Sequence, residues 1–162
     1  MRLPNHLDQF LLKQQPNRRS LHRQALAALG KYRAALFALL VRDDHMHVRA
    51  RATFEHFAEN NTLLLINASI LLETLTLLQR RVSLEAIWDF NRKIMPILDV
   101  VWANERWHPR ALQRLHAERS RSVSLTGSLS FEIMEAREIA TAFTFDNNFT
   151  ERGFEMALGP ED

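Results

Sequence analysis

The amino-acid sequence predicts an α/β fold in which helices cover both faces of a central, mostly parallel sheet. Three short apolar runs, at residues 62–66, 97–103 and 140–145, are typical of strands that are buried on both faces. Between successive runs lie one or two segments of helical periodicity. Strands that alternate with helices in this way are joined by crossover connections, which makes the strands parallel and places helices on both sides of the sheet.

The composition is that of a single globular domain. The chain has 162 residues, of which 46% are hydrophobic and 25% charged, enough to bury a core without covalent cross-links. The sequence contains no cysteine, which excludes disulfides, thiolate metal sites and a cysteine nucleophile. The longest apolar stretch, 62–78, is interrupted by Asn67 and Glu73, and the first ten residues lack the pattern of a secretory signal. We therefore expect a cytoplasmic protein.

The basic residues are almost all arginine. Of 21 basic residues, only Lys13, Lys31 and Lys93 are lysine, although the net charge is just +2. The planar guanidinium group binds phosphates and carboxylates through paired hydrogen bonds, so this usage favours RNA or an acidic partner. A G·C-rich genome would also encode arginine in place of lysine, and both explanations remain open. The candidate RNA contacts are Arg33, Arg80, Arg81, Arg119 and Arg121.

The N-terminal part of the chain is predicted to be helical. A short helix is expected from Ser20 to Leu29, with Ser20 as its N-cap and Gly30 as its stop signal. The run AALFALLV, which begins at Ala34, predicts a buried helix.

The remaining elements alternate along the chain. Asp43 or Asp44 is expected to cap a helix that continues to about Glu59. After the 62–66 strand, the predicted order is a helix ending near Arg81, a helix from Ser83 to Pro96, the 97–103 strand, a helix from Pro109 to Glu118, a strand or turn at SVSL, a helix from Ser128 to Arg137 and the 140–145 strand.

One carboxylate stands in an apolar helix, in the stretch SILLETLTLL. Glu73 has no lysine or arginine three or four positions away, and it shares a narrow polar stripe with Ser69, Thr76 and Arg80. The stripe is either a solvated seam on a mostly buried helix or one wall of a site that requires negative charge. The rest of the sequence is needed to choose between them.

Other polar residues are expected at the same edge of the sheet. Asp146 directly follows the 140–145 strand, and the SLTGS loop precedes a helix. Ligands of parallel sheets bind beyond the carboxyl ends of the strands. Asp146, the SLTGS loop and Glu73 are therefore predicted to face one site.

Four segments together resemble the PIN-domain proteins of the VapC toxin type. They are LFALLVRDDHMHVRA, SILLETLTLLQRR, SVSLTGSLSFEIM and TAFTFDNNFTERGF, and they extend from about Leu36 to Phe154. The resemblance implies a compact three-layer α/β/α domain, here residues 31–158, with residues 1–30 as a divergent, partly helical N-terminal extension. It also implies a metal-dependent endoribonuclease that forms a homodimer and is silenced by an antitoxin-type protein.

The resemblance matches only half of the acidic residues on which the family's chemistry depends. Glu73 and Asp146 stand at two of the four acid positions, and they are the predicted catalytic residues and ligands of Mg²⁺ or Mn²⁺. Tyr32 and Gly127 occupy the other two positions. A site with fewer charged ligands has a lower affinity for Mg²⁺. We therefore expect a ribonuclease scaffold whose activity is weak or lost.

The alternative is a non-catalytic PIN-like binding module for an antitoxin, another protein partner or RNA. Apolar faces around Leu36 and Phe57 exceed what one domain is expected to bury, which suggests a dimer surface.

Other polar residues are not expected to complete the site. His45 and His47 are two positions apart and would face different ways on a helix, so a shared metal is not expected. Glu132 lies five residues beyond Gly127 and should point away from the site.

Overall fold

The structure, a computed structural model, describes residues 24–27 and 35–158. The strands within these residues are β1 (Gln24–Ala27), β2 (Leu63–Asn67), β3 (Leu98–Val101), β4 (Thr141–Phe143) and β5 (Glu155–Met156). They form one sheet in the order β3-β2-β1-β4-β5, and every neighbouring pair is parallel. The prediction of a parallel sheet is therefore confirmed.

Helices connect these strands. They are α1 (Ala35–Leu40), α2 (His47–Glu59), α3 (Ala68–Arg81), α4 (Leu84–Lys93), α5 (Trp107–Glu118), α6 (Leu125–Ala136) and α7 (Asn148–Glu151), with a 3-10 turn at Met95–Ile97. Among the residues described, no helix has the length and apolar character needed to cross a membrane.

The two faces of the sheet bury two separate hydrophobic clusters. Neighbouring strand residues point to opposite faces, so Ile66 lies in one cluster and Leu65 in the other. Helices α1 to α4 complete the first cluster, with side chains such as Phe90. Helices α5 and α6 complete the second, with Trp107 and Phe131. This arrangement is the three-layer α/β/α domain that the sequence predicted.

The N-terminal helix prediction is wrong at residues 24–27, which form the central strand of the sheet. The sequence QALA favours a helix by its intrinsic propensity, but tertiary packing overrides that preference. Leu26 enters one core cluster, while Ala25 and Ala27 enter the other and leave room for the helices above them. The strand lies N-terminal to residue 31, where the PIN-like domain was expected to begin. The rest of the first thirty residues, and Tyr32 and Arg33, lie outside the described residues.

Most of the later elements are confirmed, with small shifts at their ends. The SVSL segment is not a strand: Ser124 is the N-cap of α6, and its hydroxyl accepts a hydrogen bond from the Gly127 N–H. The prediction that Asp43 or Asp44 caps α2 is wrong, because Met46 is the N-cap residue and no side chain forms a cap hydrogen bond there. Asp44 instead accepts a hydrogen bond of 2.9 Å from the Met46 N–H just before the helix. The short elements α7 and β5 were not predicted.

The suggested dimer surface around Leu36 and Phe57 is also wrong. Both side chains are buried within the chain, in the cluster formed by α1 to α4. Phe57 packs edge-on against Phe143 of the central sheet, with ring centroids 5.7 Å apart. The apolar faces are buried in the domain's own core, because they pack with residues of β1 and β4 in one cluster.

Candidate functional site

The carboxyl edge of the sheet is where the sequence placed the candidate site. Asn67 ends β2 at this edge, and β4 leads there into the segment that contains Asp146. Glu73 lies on α3, six residues after Asn67, which is about 9 Å along the helix axis. The first turn of α6, with Gly127, approaches the same region through the contact described next.

Asn67 joins β2 to two helices. Its Oδ1 atom accepts a 3.0 Å hydrogen bond from the Ile70 N–H, so Asn67 is the N-cap of α3. Its Nδ2 group donates a 2.8 Å hydrogen bond to the Ser130 Oγ atom on α6, and Ser130 in turn donates to the Thr126 carbonyl. Asn67 is fully buried. Its amide is thus committed to holding the start of α3 against α6, a role that sequence reasoning missed although an Asn between a strand and a helix is a capping signal.

Glu73 is exposed, on a helix that buries one face through residues such as Ile70, Leu71 and Leu78 and leaves the rest partly or fully exposed. Partial burial among its neighbours raises the pKa of its carboxyl group above the usual value. Within the described residues it has no ion-pair partner. The next residue, Thr74, is buried and donates its hydroxyl to the Ile70 carbonyl at 2.8 Å. Glu73 is therefore an uncompensated charge near the edge of the sheet, which either interpretation of the seam allows.

Asp146 has a structural role that the sequence did not reveal. Its Oδ1 atom accepts hydrogen bonds from the Asn148 N–H at 3.1 Å and from Asn148 Nδ2 at 2.8 Å. Its own N–H donates to the Thr144 Oγ1 atom at 3.2 Å. Asn148 also donates to the Ser122 carbonyl, which connects this segment to the loop before α6. One carboxylate oxygen of Asp146 is thus occupied in organising the turn that leads into α7.

Gly127 leaves space where the resemblance implies an acid. A Cβ atom at this position would lie 3.4 Å from Val123 Cγ1 and 3.5 Å from Ser124 Oγ, which are ordinary contacts. The glycine is therefore not required by close packing. The adjacent Ser128 is fully buried, and its hydroxyl has no hydrogen-bond partner.

The candidate RNA-contacting arginines lie in different regions. Arg119 and Arg121 are exposed in the loop between α5 and α6, and neither forms an ion pair within the described residues. Arg80 and Arg81 are in the last turn of α3, about 20 Å along the helix from its start at the carboxyl edge. Arg33 is outside the described residues. Only the first pair therefore stays a candidate at the same edge as Asp146.

Several other charged side chains are paired with each other in an ion network on α5 and α6. Arg114 donates to Glu118, Glu132 and Glu135 at 3.1, 2.9 and 2.5 Å, and these bonds raise its pKa. Arg152 donates to Glu118 at 2.6 Å. Glu132 points into this network and not toward Gly127, as expected.

The donor set at the edge does not fit a tightly bound Mg²⁺ or Mn²⁺ ion. Among the residues that the structure describes, no group of three or more His, Asp or Glu side chains is arranged to hold a metal. The resemblance implies a carboxylate on the segment after β1, but residues 28–34 read ALGKYRA and contain no acid. Two carboxylates remain, Glu73 and Asp146, and their role as metal ligands stays a prediction.

Comparison with known proteins supports the fold. No protein-family model and no curated protein matches the sequence. Among solved structures, the chain is similar to the crystal structure of VapC20 of Mycobacterium tuberculosis, described as a sarcin-ricin loop cleaving toxin. The match has a TM-score of 0.67 and 23% sequence identity, and it covers 81% of this chain and 95% of VapC20. The chain therefore has the PIN-like α/β/α fold of a VapC toxin.

Proposed function

We propose that this protein is a VapC-like PIN scaffold that binds RNA at the carboxyl edge of its sheet and cleaves it weakly or not at all. The observation that carries the proposal is the set of charged groups at that edge: few carboxylates, with Arg119 and Arg121 forming no ion pair among the residues that the structure describes. The fold and the RNA-cleaving activity named for VapC20 support a ribonuclease origin.

The loss of cleavage follows from the number and commitment of the acids. Hard cations such as Mg²⁺ take oxygen ligands in near-octahedral geometry, and their affinity depends on the charge that the ligands supply. Here Gly127 supplies no ligand, the segment 28–34 contains no acid, and Asp146 already accepts two hydrogen bonds from Asn148. Within the described ranges, the edge offers no group of acids that would hold a metal ion, and it is the metal that activates water at neutral pH in such sites.

The binding of RNA follows from the charges that remain. Arg119 and Arg121 flank Ser120 in the loop that Ser122 ties to Asn148. Replacing acids at such an edge makes it more positive, and arginines contact the phosphates of RNA without reading its sequence.

The test combines a cleavage assay with a binding assay. Purified protein is incubated with labelled total RNA and tRNA in Mg²⁺, in Mn²⁺ and in EDTA, and compared with Glu73→Gln. We expect little or no cleavage in any of these samples. Rapid, near-complete metal-dependent cleavage that disappears in Glu73→Gln would show a fully active centre and would contradict the proposal.

Binding is measured by fluorescence anisotropy with a labelled single-stranded RNA at two salt concentrations. The double variant Arg119→Gln/Arg121→Gln should weaken binding about tenfold and reduce the slope of log K against log salt by roughly 1.4, at about 0.7 per phosphate contact. The matched control is Arg51→Gln, because Arg51 is paired with Glu55 on α2 at 2.7 Å. Equal affinity of the double variant and the native protein would exclude this edge as the RNA site.

A second candidate function is supported by a different observation. Three large apolar side chains are exposed on α3 and α4: Leu72 and Leu84 at 60% and Trp88 at 66%. Exposed apolar groups of this size mark protein-binding surfaces, and a second copy or an antitoxin-type protein would cover them. Analytical ultracentrifugation of the native protein and Trp88→Ser tests the homodimer. A native protein that stays monomeric at about 100 μM would leave only a different protein as the occupant.

A further inference from the structure

A cavity lies at the amino edge of the sheet, where the strands begin, opposite the carboxyl edge described above. It has a volume of about 730 Å³, which is within the usual range for small-molecule sites. Gln24, Thr141 and Glu155 are the first residues of β1, β4 and β5, and all three line it. His56 and Phe57, from the last turns of α2, form another wall. This cavity is separate from the edge that holds Asn67 and Asp146.

The lining of the cavity is rich in hydrogen-bond acceptors and negative charge. Glu138 and Glu155 contribute carboxylates, and both residues are exposed to solvent. Glu155 accepts a 3.3 Å hydrogen bond from the Thr141 hydroxyl, whereas the Glu138 side chain has no partner among the described residues. Within that part of the chain, the lining includes no lysine or arginine. An anionic ligand is therefore disfavoured.

Two helices direct their negative ends toward this edge. Helix α2 ends at Glu59, shortly before the cavity residue Thr62, and α6 ends at Ala136, shortly before Glu138. The last carbonyl groups of a helix carry a partial negative charge, which favours a nearby cation. The backbone thus adds to the field of the two carboxylates.

An unsatisfied acceptor is also present. The Oε1 atom of Gln24, one of the lining residues, is buried and has no hydrogen-bond partner among the residues that the structure describes. Buried polar groups without a partner are uncommon in folded proteins, because the group loses its hydrogen bonds to water and gains nothing in return. A ligand with several N–H donors that reaches this oxygen would satisfy it.

We infer that this cavity binds a guanidinium group, either of a free small molecule or of an arginine side chain in a peptide. A guanidinium group presents five N–H donors in one plane and keeps its positive charge at all relevant pH values. The lining offers such a group the carboxylates of Glu138 and Glu155 and the amide of Gln24 as acceptors, and Phe57 supplies an apolar part of the wall for its flat faces. Neither the fold nor the proposed RNA site requires this binding.

Isothermal titration calorimetry on the full chain tests the inference and separates the two sources. The ligands are agmatine, the blocked tripeptide Gly-Arg-Gly and the same tripeptide with citrulline in place of arginine. Saturable binding of agmatine alone identifies a small-molecule site, and binding of the arginine peptide identifies a peptide site. The citrulline peptide, which has the same shape without the charge, should not bind. Absence of saturable binding of both guanidinium ligands to folded protein at about 10 mM would overturn the inference.

Variants locate the binding. Glu138→Gln should weaken guanidinium binding about tenfold, because it removes one charge-assisted contact. Glu138→Gln/Glu155→Gln should abolish it, whereas Glu105→Gln, an exposed acid outside the cavity, should leave it unchanged. Gln24→Leu should weaken binding at least fivefold without lowering stability, because it removes an unsatisfied polar group. Binding that persists in the double variant would place the ligand elsewhere.

Discussion

The substitution Gly127→Asp tests the assignment of the carboxyl edge. Gly127 is the third residue of α6, after the N-cap Ser124, and a Cβ atom there meets only ordinary contacts of 3.4 and 3.5 Å. Glycine in a helix costs about 0.5–1 kcal/mol relative to alanine, of which aspartate recovers a part, and a negative charge in the first turn gains roughly 0.3–1 kcal/mol. The variant without metal should therefore be up to about 1 kcal/mol more stable than the native protein at neutral pH, a rise in melting temperature of up to roughly 2–4 °C; repulsion from Glu73 and Asp146 reduces this gain where the three carboxylates converge.

Metal should then add a larger effect. If the introduced carboxylate converges with Glu73 and Asp146, Mn²⁺ at about 100 times its dissociation constant should stabilise the variant by about 2.7 kcal/mol. Adding Tyr32→Asp, the other position implied by the family resemblance, should tighten metal binding further. Differential scanning calorimetry with and without Mn²⁺ measures both contributions, and calorimetric titration gives the dissociation constant.

Gly127→Asn is the matched control, because it has nearly the same shape and lacks the charge. It should gain part of the helix stability and none of the metal effect. If Mn²⁺ raises the melting temperatures of Gly127→Asp and Gly127→Asn equally, the three side chains do not converge and the edge is not a degraded metal site.

Three further variants test the energetics of the fold. Asn67→Ala should lower the free energy of unfolding by about 2–3 kcal/mol in urea titrations, because it removes the cap of α3 and the hydrogen bond to α6; a loss below about 0.5 kcal/mol would refute the role of this amide. Glu73→Gln should be more stable than the native protein at pH 7, and the difference in stability should vanish below about pH 4.5. Burial raises the pKa of Glu73, so ionisation of its carboxyl group costs stability as pH rises through that pKa. A difference in stability that does not change with pH would contradict this. Arg114→Gln should lower the free energy of unfolding by about 1–2 kcal/mol at pH 7 and by less in acid. Arg152 and Arg114 lower the pKa of Glu118, and Arg114 lowers the pKa of Glu135, so the stability that these ion pairs contribute is lost as pH falls below about 4.5. An equal loss at pH 3 and pH 7 would argue against the network.

Much of the fold is predictable because three of the buried parallel strands are short, continuous apolar runs. The segments around Leu64, Val100 and Ala142 are short, apolar and separated by helical periodicity, and each forms a strand. The central strand was missed because Gln24–Ala27 has the composition of a helix and depends on neighbours far away in sequence for its conformation. Propensity is local, whereas the pairing that decides this segment is not.

The edge of the sheet could be predicted from the sequence, but its details could not. By the rule that ligands bind at the carboxyl ends of parallel strands, the sequence indicated the edge where β4 leads into the segment of Asp146 and where α3, the helix of Glu73, begins. The roles of both residues in a site stay predictions. The capping by Asn67 and the hydrogen bonds of Asp146 depend on rotamers and on partners such as Ser130, which lies 63 residues from Asn67. The pairing of Arg152 with Glu118 joins residues 34 positions apart, so arginine counts alone overestimated the free positive charge.

The position of β1 has a consequence for how the chain folds. This strand is synthesised before both of its neighbours in the sheet, which begin at Leu63 and Thr141. A nascent strand with both edges open is a template for pairing with other chains, and long, hydrophobic, β-branched strands are the most prone to it. A central strand of four residues, two of them alanine, is a poor template. The alanines that fit the crowded centre of the sheet therefore also protect the growing chain from aggregation while it waits for its partners.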